Sequence, residues 1–314
     1  MNCSRKLLIL AALTAAMAIL PVAADDTAKA VLELKGSFLY ADDPILTRLS
    51  IGNEGAEVIP NPVKASVLKG FFARNSEGKS IKATGKTTAS EPVRPDKLNP
   101  MAFYGTIVNL AEIFPQLAKP GRYSIGWESG GVSSQVYDIV VIPRYDPSKV
   151  YQATIETSLG MIVMDFFPAE APIAVKAFID MANSGFYDGL YISEVHANDF
   201  IVAGDPAFGS NGDRRPVTYP ATPTKLPMVA GTVIMKPVMA SPPGNSSTFM
   251  ILLGPKPTLR GQATAFGQVI QGMDVVRRIS QRPVSGVGSN AKFKPIKDIE
   301  IIGVTVAERT ETDR

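Results

Sequence analysis

The chain has 314 residues, 45% hydrophobic and 19% charged, which fits about two globular domains and excludes a disordered polypeptide. Its formal net charge is only +3, so there is no electrostatic reason to expect nucleic acid or a membrane surface as a partner. One cysteine, Cys3, and one histidine, His196, exclude an intrachain disulfide and a two-histidine metal site. We therefore expect no metal and no cofactor.

The first 24 residues have the three parts of a secretory signal peptide. Two basic residues precede an apolar run, Leu7–Leu20, which is too short for a comfortable membrane span, and Val22-Ala23-Ala24 offers a cleavage site. Cleavage near Ala24 would remove both basic residues and Cys3, leaving a net charge of +1 (3 − 2 = 1) and no thiol. We expect export to the periplasm or the extracellular space, without membrane association afterwards; an uncleaved anchor is the alternative.

Residues 27–145 alternate short apolar runs with turn residues, a pattern that predicts a β-sandwich without a long helix. The segment Leu117–Trp127 resembles one that is common in immunoglobulin-like domains, and Tyr123, Ile125 and Trp127 should share its buried face. We therefore predict an immunoglobulin-like β-sandwich over residues 27–145, with a long loop at Thr84–Pro100. The predicted strands are Ala30–Leu34, Leu46–Ile51, Val63–Phe72, Phe103–Leu110, Arg122–Trp127 and Val136–Ile142.

After a linker at Pro143–Pro147, strands are mixed with two helices. One helix should begin at Ala171-Pro172, since proline is tolerated in the first turn, and end at Ser184-Gly185. We predict a closed β-barrel with two capping helices over residues 151–306 and a polar tail over residues 307–314. The remaining predicted elements are a helix at Met273–Ile279 and strands at Ala153–Glu156, Met161–Phe167, Tyr191–Val195, Phe200–Ala203, Thr232–Met235, Phe249–Leu253, Ala265–Val269 and Ile299–Val306.

Residues 151–306 contain a series of short segments whose order and wording are distinctive. They are Ala153–Ser158, Gly160–Val163, Phe167-Pro168, Ala171-Pro172, Gly185–Leu190, Gly204–Pro206, Gly231-Thr232, Phe266–Val269 and Gly272–Val276. Together they resemble the cyclophilin family, in that family's order. The resemblance implies a cyclophilin fold, peptidyl-prolyl cis-trans isomerase activity and proline-containing segments of exported proteins as partners.

The resemblance also shows where this sequence departs from the family. No gap is needed between Leu190 and Gly204, and this register places the family's catalytic arginine on Glu194, its proline-pocket phenylalanine on Asp199 and its glutamine on Val202. The remaining groove-lining positions that the resemblance implies are Phe200, Thr248, Met250, Thr258, Leu259 and Ala263.

These departures affect the chemistry directly. The X–Pro bond rotates over a barrier of ~18–20 kcal/mol, and a fixed donor beside the proline lowers it. An ionised glutamate only accepts hydrogen bonds, so it cannot replace an arginine. We therefore predict weak or absent isomerase activity. The alternatives are a non-catalytic peptide-binding pseudo-enzyme and an envelope-binding N-terminal module.

Plainer interpretations of the single residues also stay open. Glu194 is a surface charge, Asp199 a turn residue and His196 a surface or core-edge residue in that view. The run Asn245–Thr248 either binds a peptide backbone or forms a polar loop.

Overall fold

The computed structural model describes residues 27–34, 38–209, 218–238, 244–286 and 293–309. The predicted signal peptide and its cleavage site lie outside the described residues, as do residues 310–314 of the predicted tail. Within the described ranges, no helix combines the length and the hydropathy that a membrane span requires.

The first half of the described chain is almost entirely β-structure. Its one short α-helix, α1 (Leu110–Ile113), is capped by the Asn109 side chain, which accepts a hydrogen bond from the Ala111 N–H at 3.1 Å. The strands are β1 (Ala28–Leu34), β2 (Leu39–Tyr40), β3 (Leu46–Asn53), β4 (Ile59–Pro60), β5 (Phe71–Asn75), β6 (Ser80–Ile81), β7 (Lys97–Leu98), β8 (Phe103–Asn109), β9 (Gly121–Ser129), β10 (Val132–Ser133) and β11 (Tyr137–Ile142).

These strands form two larger sheets that share one buried core. The first has the order β1-β3-β8, and the second has the order β2-β11-β9-β5-β6 with β10 beside β9; β4 pairs with β7 separately. Leu32 and Leu49 from the first sheet and Ile125 and Trp127 from the second belong to the same buried cluster. The predicted burial of Tyr123, Ile125 and Trp127 on one face is confirmed.

The strand predicted at Val63–Phe72 is wrong over most of its length. The side chain of Asn61 accepts a hydrogen bond from the Val63 N–H at 3.0 Å, and a 3₁₀ turn occupies Leu68–Gly70. Local side-chain bonds of this kind draw backbone groups away from a ladder. The carbonyl of Val67 accepts instead from the indole N–H of Trp127, at 2.7 Å.

The second half combines nine strands with two α-helices. Helix α2 begins at a proline and ends before Ser184, with Gly185 at φ +73°, as the sequence predicted. The elements are β12 (Tyr151–Thr157), β13 (Gly160–Phe166), α2 (Pro172–Asn183), β14 (Glu194–His196), β15 (Phe200–Ala203), β16 (Tyr219–Pro220), β17 (Thr232–Val238), β18 (Gly244–Leu252), β19 (Thr264–Gln271), α3 (Met273–Ser280) and β20 (Ile301–Glu308).

These nine strands form a single curled sheet that is open. Its order is β14-β15-β18-β17-β19-β13-β12-β20, with β16 beside β18, so β14 and β20 are its two ends. The closed barrel predicted from the sequence is therefore wrong. The segment that would complete it meets the chain just before β20 at an isolated bridge between Tyr191 and Glu300, and its N–H groups go to different carbonyl partners: Tyr191 donates to Phe208 at 2.8 Å, Ile192 to Ile299 at 2.9 Å and Ser193 to Val202 at 2.9 Å.

The inner face of this curled sheet is buried together with both helices. Phe178 of α2 lies within 5.0–5.7 Å, centroid to centroid, of the rings of four other aromatic residues. Offset and edge-on aromatic contacts at such distances stabilise a core beyond the area they bury. The four residues are Phe166, Tyr187, Phe249 and Phe266.

One contact between the two halves is polar. Tyr40 of β2 donates a hydrogen bond to the buried Asp180 of α2 at 2.6 Å, and Lys176 pairs with the same carboxylate. The guanidinium of Arg144 lies 4.8 Å from the centre of the Tyr40 ring. This contact joins the second sheet of the first half to a helix of the second half.

Candidate functional site

Strand register places one row of side chains across the outer face of the curled sheet. Glu194 of β14 lies opposite Val202 of β15, Val202 lies opposite Met250 of β18, and Met250 lies opposite Ile234 of β17. Side chains alternate between the faces of a strand, so the neighbours of these residues point inward to the core. We call the outer-face surface formed by Glu194, His196, Phe200, Val202, Ile234, Lys236, Met250 and Leu252 the candidate groove.

The floor of the candidate groove is a separate apolar cluster. It is distinct from the main core of the second half, which lies on the other face of the same strands. Such an unbroken apolar surface suits an apolar ring or side chain of a ligand. Its buried members are Met228, Ile234, Leu252, Ala263 and Ala265, and its partly buried members are Phe200, Leu226, Met250 and Leu259.

Several residues proposed from the sequence meet on this floor. Phe200, Met250, Leu259 and Ala263 all belong to the apolar cluster, although they come from different segments. Val202 is fully buried in the row beside Met250. The register deduced from the sequence therefore brings distant positions together on one surface.

Other proposed residues lie at the edge or away from the floor. Thr258 is exposed in a 3₁₀ turn, and Thr248 is buried within β18. Asp199 lies in the turn after β14 and forms an ion pair with Lys256 at 2.5 Å, so it does not enter the apolar cluster. Asn198 beside it has φ +59°, a value that asparagine tolerates in turns. The turn interpretation of Asp199 fits its position.

Glu194 is tied into the rim of the candidate groove by two partners. Its carboxylate forms an ion pair with Lys236 of β17, and the Nε2 atom of His196 lies 3.3 Å from it. Burial alone would raise the pKa of Glu194, but the hydrogen bond and charge of Lys236, followed by those of His196, outweigh burial and lower it. Glu194 is therefore a fixed carboxylate at neutral pH and does not swing freely in solvent.

His196 and Lys256 both lie close to the ring of Phe200. The ring of His196 lies between Phe200 at 4.1 Å and Phe293 at 4.0 Å, centroid to centroid. The ammonium of Lys256 lies 5.7 Å from the centre of the Phe200 ring. The candidate groove therefore has an apolar floor and a rim of alternating charges.

Lys236 is the site residue that the sequence reasoning missed. The predicted strand stopped at Met235, whereas β17 continues through Val238. At this point Met235 lies opposite Phe249 but Pro237 lies opposite Asn245, so the ladder is irregular around Lys236. Irregular ladders often redirect a side chain next to a functional site. A single charge in an otherwise apolar strand was the available signal.

The serine and threonine run on β18 belongs to the sheet. Of the two alternatives for residues 245–248, the polar loop is wrong, because these residues lie within Gly244–Leu252. The hydroxyl of Ser247 donates to the carbonyl of Gly204 at 2.8 Å, and the Thr248 N–H donates to the Ser246 hydroxyl at 3.3 Å. The Ser246 and Ser247 hydroxyls therefore have hydrogen-bond partners inside the protein.

The described ranges contain no group of three or more His, Cys, Asp or Glu side chains that could hold a metal ion. What the groove face offers is an apolar floor, carboxylates and ammonium groups. It can bind an extended chain by apolar contact, but Glu194 presents no donor to it.

The comparisons with known proteins agree with this mainly-β architecture with few helices. The model of the family described as "Cyclophilin type peptidyl-prolyl cis-trans isomerase/CLD" matches residues 152–306. Peptidyl-prolyl cis-trans isomerase-like 1 of Bos taurus is 30% identical over 160 residues, covering 50% of this chain and 92% of that protein. Peptidyl-prolyl cis-trans isomerase CYP18-2 of Arabidopsis thaliana is 27% identical over 169 residues, covering 53% of this chain and 98% of that protein.

A solved structure is also similar. It is the cyclophilin type peptidyl-prolyl cis-trans isomerase of Cryptosporidium parvum, crystallised in the presence of the dipeptide Ala-Pro. It has 23% identity and a TM-score of 0.44, and covers 50% of this chain and 99% of that one. Through its second half, the chain belongs to the cyclophilin-type peptidyl-prolyl cis-trans isomerase family. These matches do not cover the first half.

Proposed function

We propose that the candidate groove binds proline-containing segments of other proteins and catalyses their isomerisation weakly or not at all. The observation that carries this proposal is the Glu194–Lys236 ion pair on the groove rim. The candidate groove therefore has an apolar floor, but a carboxylate stands where the family resemblance implies an arginine. The floor can bind a peptide, while the rim lacks the donor that catalysis needs.

The floor supports binding because its apolar area is not covered by α2 or α3, the two α-helices that the structure describes in the second half. Phe200, Met250 and Leu259 are partly buried, so each still exposes apolar surface to a ligand. A prolyl ring or small apolar side chain placed on them would remove that surface from water, worth about 25 cal/mol for each Å² buried.

The rim argues against efficient catalysis. Lowering the X–Pro barrier needs a donor beside the twisted amide, and losing one such donor typically costs on the order of 2.7–4 kcal/mol of transition-state stabilisation. Glu194 accepts hydrogen bonds, and the Lys236 ammonium donates to it. The Lys236 ammonium beside the arginine position is therefore engaged and its charge is compensated.

The test is an NMR exchange measurement of X–Pro isomerisation in an Ala-Pro tetrapeptide, using residues 25–314. The wild-type chain is compared with a Glu194→Arg, Asp199→Phe, Val202→Gln variant. Glu194→Arg would place a guanidinium beside the Lys236 ammonium, and the two positive charges would repel each other. A second variant therefore carries Lys236→Ala in addition to the three substitutions. A Glu156→Arg variant, which reverses an exposed charge on β12, is the control.

We expect the peptide to bind the wild-type chain, seen as shifts of the Phe200 and Met250 signals. Exchange between the cis and trans forms of the peptide should be no faster than without the protein. Restored exchange in the variant with Lys236→Ala would support the proposal. Clear catalysis by the wild-type chain would show that Glu194 does not prevent isomerisation. Absence of peptide binding would remove the groove as the binding surface.

We also propose that residues 27–145 form an immunoglobulin-like domain beside a cyclophilin-like domain at residues 151–306. In support, the two sheets of the first half share one core, and the Tyr123 hydroxyl lies 3.0 Å from both the Gln116 and Lys119 carbonyl oxygens. A buried tyrosine bonded back to the preceding turn is typical of immunoglobulin-like sandwiches. A solved structure of this half with different strand connections would refute the assignment.

We further propose that the protein is exported to the periplasm or the extracellular space. The proposal rests on the charged, apolar and small-residue segments before Asp25. N-terminal sequencing of the protein recovered outside the cytoplasm should begin near Asp25. A mature protein that still begins at Met1 would contradict it.

A further inference from the structure

A cavity lies outside the candidate groove. It has a volume of about 420 Å³ and lies between the β12–β13 turn, the segment after α3 and the segment before β20. That volume is within the range of small-molecule sites. Its lining residues are Ser158, Leu159, Arg282, Pro283, Ile296, Lys297, Asp298 and Ile299.

The walls of this cavity are held by backbone bonds between distant segments. The Ser158 N–H donates to the Glu300 carbonyl at 2.9 Å, and the Ile296 N–H donates to the Pro283 carbonyl at 2.9 Å. The guanidinium of Arg278 donates to the Leu159 carbonyl at 3.1 Å. The cavity is therefore formed before any ligand enters, which reduces the ordering cost of binding.

The charges on the lining are unbalanced. Asp298 is neutralised by an ion pair with Lys294 at 3.0 Å. The side chains of Arg282 and Lys297 have no hydrogen-bond or ion-pair partner among the residues that the structure describes. With Lys294 counted beside Asp298, the site carries two uncompensated positive charges (3 − 1 = 2) next to Leu159, Pro283, Ile296 and Ile299.

We infer that this cavity binds a small anionic amphiphile, specifically an unbranched alkyl carboxylate. The aliphatic side chains accept the alkyl chain, and Arg282 and Lys297 accept the carboxylate; charge-assisted bonds of this kind are the strong ones. An inorganic anion would leave the aliphatic lining unused, and an uncharged alkane would leave both cations unpaired. The inference is independent of the candidate groove.

The experiment titrates the full mature chain with decanoate below its micellar concentration, by calorimetry at low ionic strength. Decan-1-ol is the matched ligand without the charge. The test variant is Arg282→Gln with Lys297→Gln, and the control is Arg277→Gln with Lys225→Gln, which removes two exposed charges outside the cavity lining.

We expect decanoate to bind at least about tenfold more weakly to the test variant than to the wild type, and decan-1-ol to bind at least about tenfold more weakly than decanoate. Methyl signals of Leu159, Ile296 and Ile299 should shift in the wild-type chain, which keeps the test valid if the variant folds poorly. Equal binding of decan-1-ol, equal binding to the test variant, or shifts elsewhere would overturn the inference. So would tighter binding of an acetylated Ala-Leu-Ile tripeptide, because the occupant would then be a peptide C-terminus.

Discussion

The two faces of strands β14, β15, β17 and β18 are made from alternating residues of the same short segments, yet they differ in chemistry. Inward, Val195, Ile201 and Phe249 join one aromatic and aliphatic core with α2 and α3. Outward, Glu194 and His196 lie beside a smaller apolar cluster. A close-packed interior restricts side-chain volume, whereas the outer face is free to exchange one charge for another. The fold and the chemistry of the groove can therefore change independently.

The largest expected effect is a difference in unfolding free energy between alanine substitutions on the inner and the outer face. Phe178→Ala should reduce the free energy of unfolding by ~3–5 kcal/mol, because Phe178 is fully buried among four other rings. Phe200→Ala on the outer face should cost only about 1 to 2 kcal/mol, because its ring is partly exposed. Urea unfolding followed by far-ultraviolet circular dichroism measures both. Similar losses would mean that the outer cluster is as important to stability as the core.

Two glycines with similar backbone conformations allow a crowded position to be compared with an open one. Gly204 has φ +82°, and a methyl group there would lie 2.6 Å from the Ser247 carbonyl oxygen and 3.0 Å from the Tyr187 ring. Gly261 has φ +75° with open space around it. Both alanine variants pay about 1 kcal/mol or more of backbone strain, and Gly204→Ala should lose a further ~2 kcal/mol through overpacking. Thermal unfolding of the two variants should show unequal shifts; equal shifts would contradict the crowded geometry.

A smaller effect is expected on the pKa of Glu194 when its ion pair on the groove rim is removed. Lys236→Met should raise the pKa of Glu194, because burial already acts in that direction and Lys236 is the main opposing influence. A carbon-13 NMR titration of the Glu194 carboxyl group measures the change. Lys256→Met, which removes the partner of Asp199 instead, is the matched control. An unchanged pKa of Glu194 in Lys236→Met would mean that the ion pair does not form in solution.

The smallest effect is the contribution of Glu194 to stability at different pH values. Its pKa in the folded protein lies below the ordinary value of 4.5, so its stabilising contribution is present above about pH 4.5 and is lost as the pH falls through the folded value. Glu194 is partly exposed, so we expect at most about 1 kcal/mol. The difference in unfolding free energy between wild type and Glu194→Gln should therefore shrink from pH 6.5 to pH 3. A difference that grows on acidification would contradict the lowered pKa.

Features set by local rules could be predicted from the sequence. The proline and glycine at its ends placed α2 correctly, and β15 runs from Phe200 to Ala203 as predicted. The alternation of Tyr123, Ile125 and Trp127 gave the buried face of β9. The resemblance then gave a register that placed Phe200, Met250, Leu259 and Ala263 on one surface.

Features that depend on distant partners could not be predicted in the same way. The sheet stays open because residues 191–193 bond to several different segments, which no local pattern records. Lys236 reaches Glu194 through an irregular ladder, beyond the end of the predicted strand. That Arg282 and Lys297 have no ion-pair partner within the part of the chain that the structure describes depends on which carboxylates lie nearby in three dimensions.

Trp127 is the chain's only tryptophan, and it is fully buried in the core of the first half, bonded to Val67. Its fluorescence is therefore an intrinsic probe of that half, because the second half contributes no indole emission. Circular dichroism, in contrast, registers strands from both halves. A fluorescence transition that coincides with the dichroic one would mean that the halves unfold as one cooperative unit, with the Tyr40–Asp180 contact joining them. Two separate midpoints would mean that each half has a stability of its own.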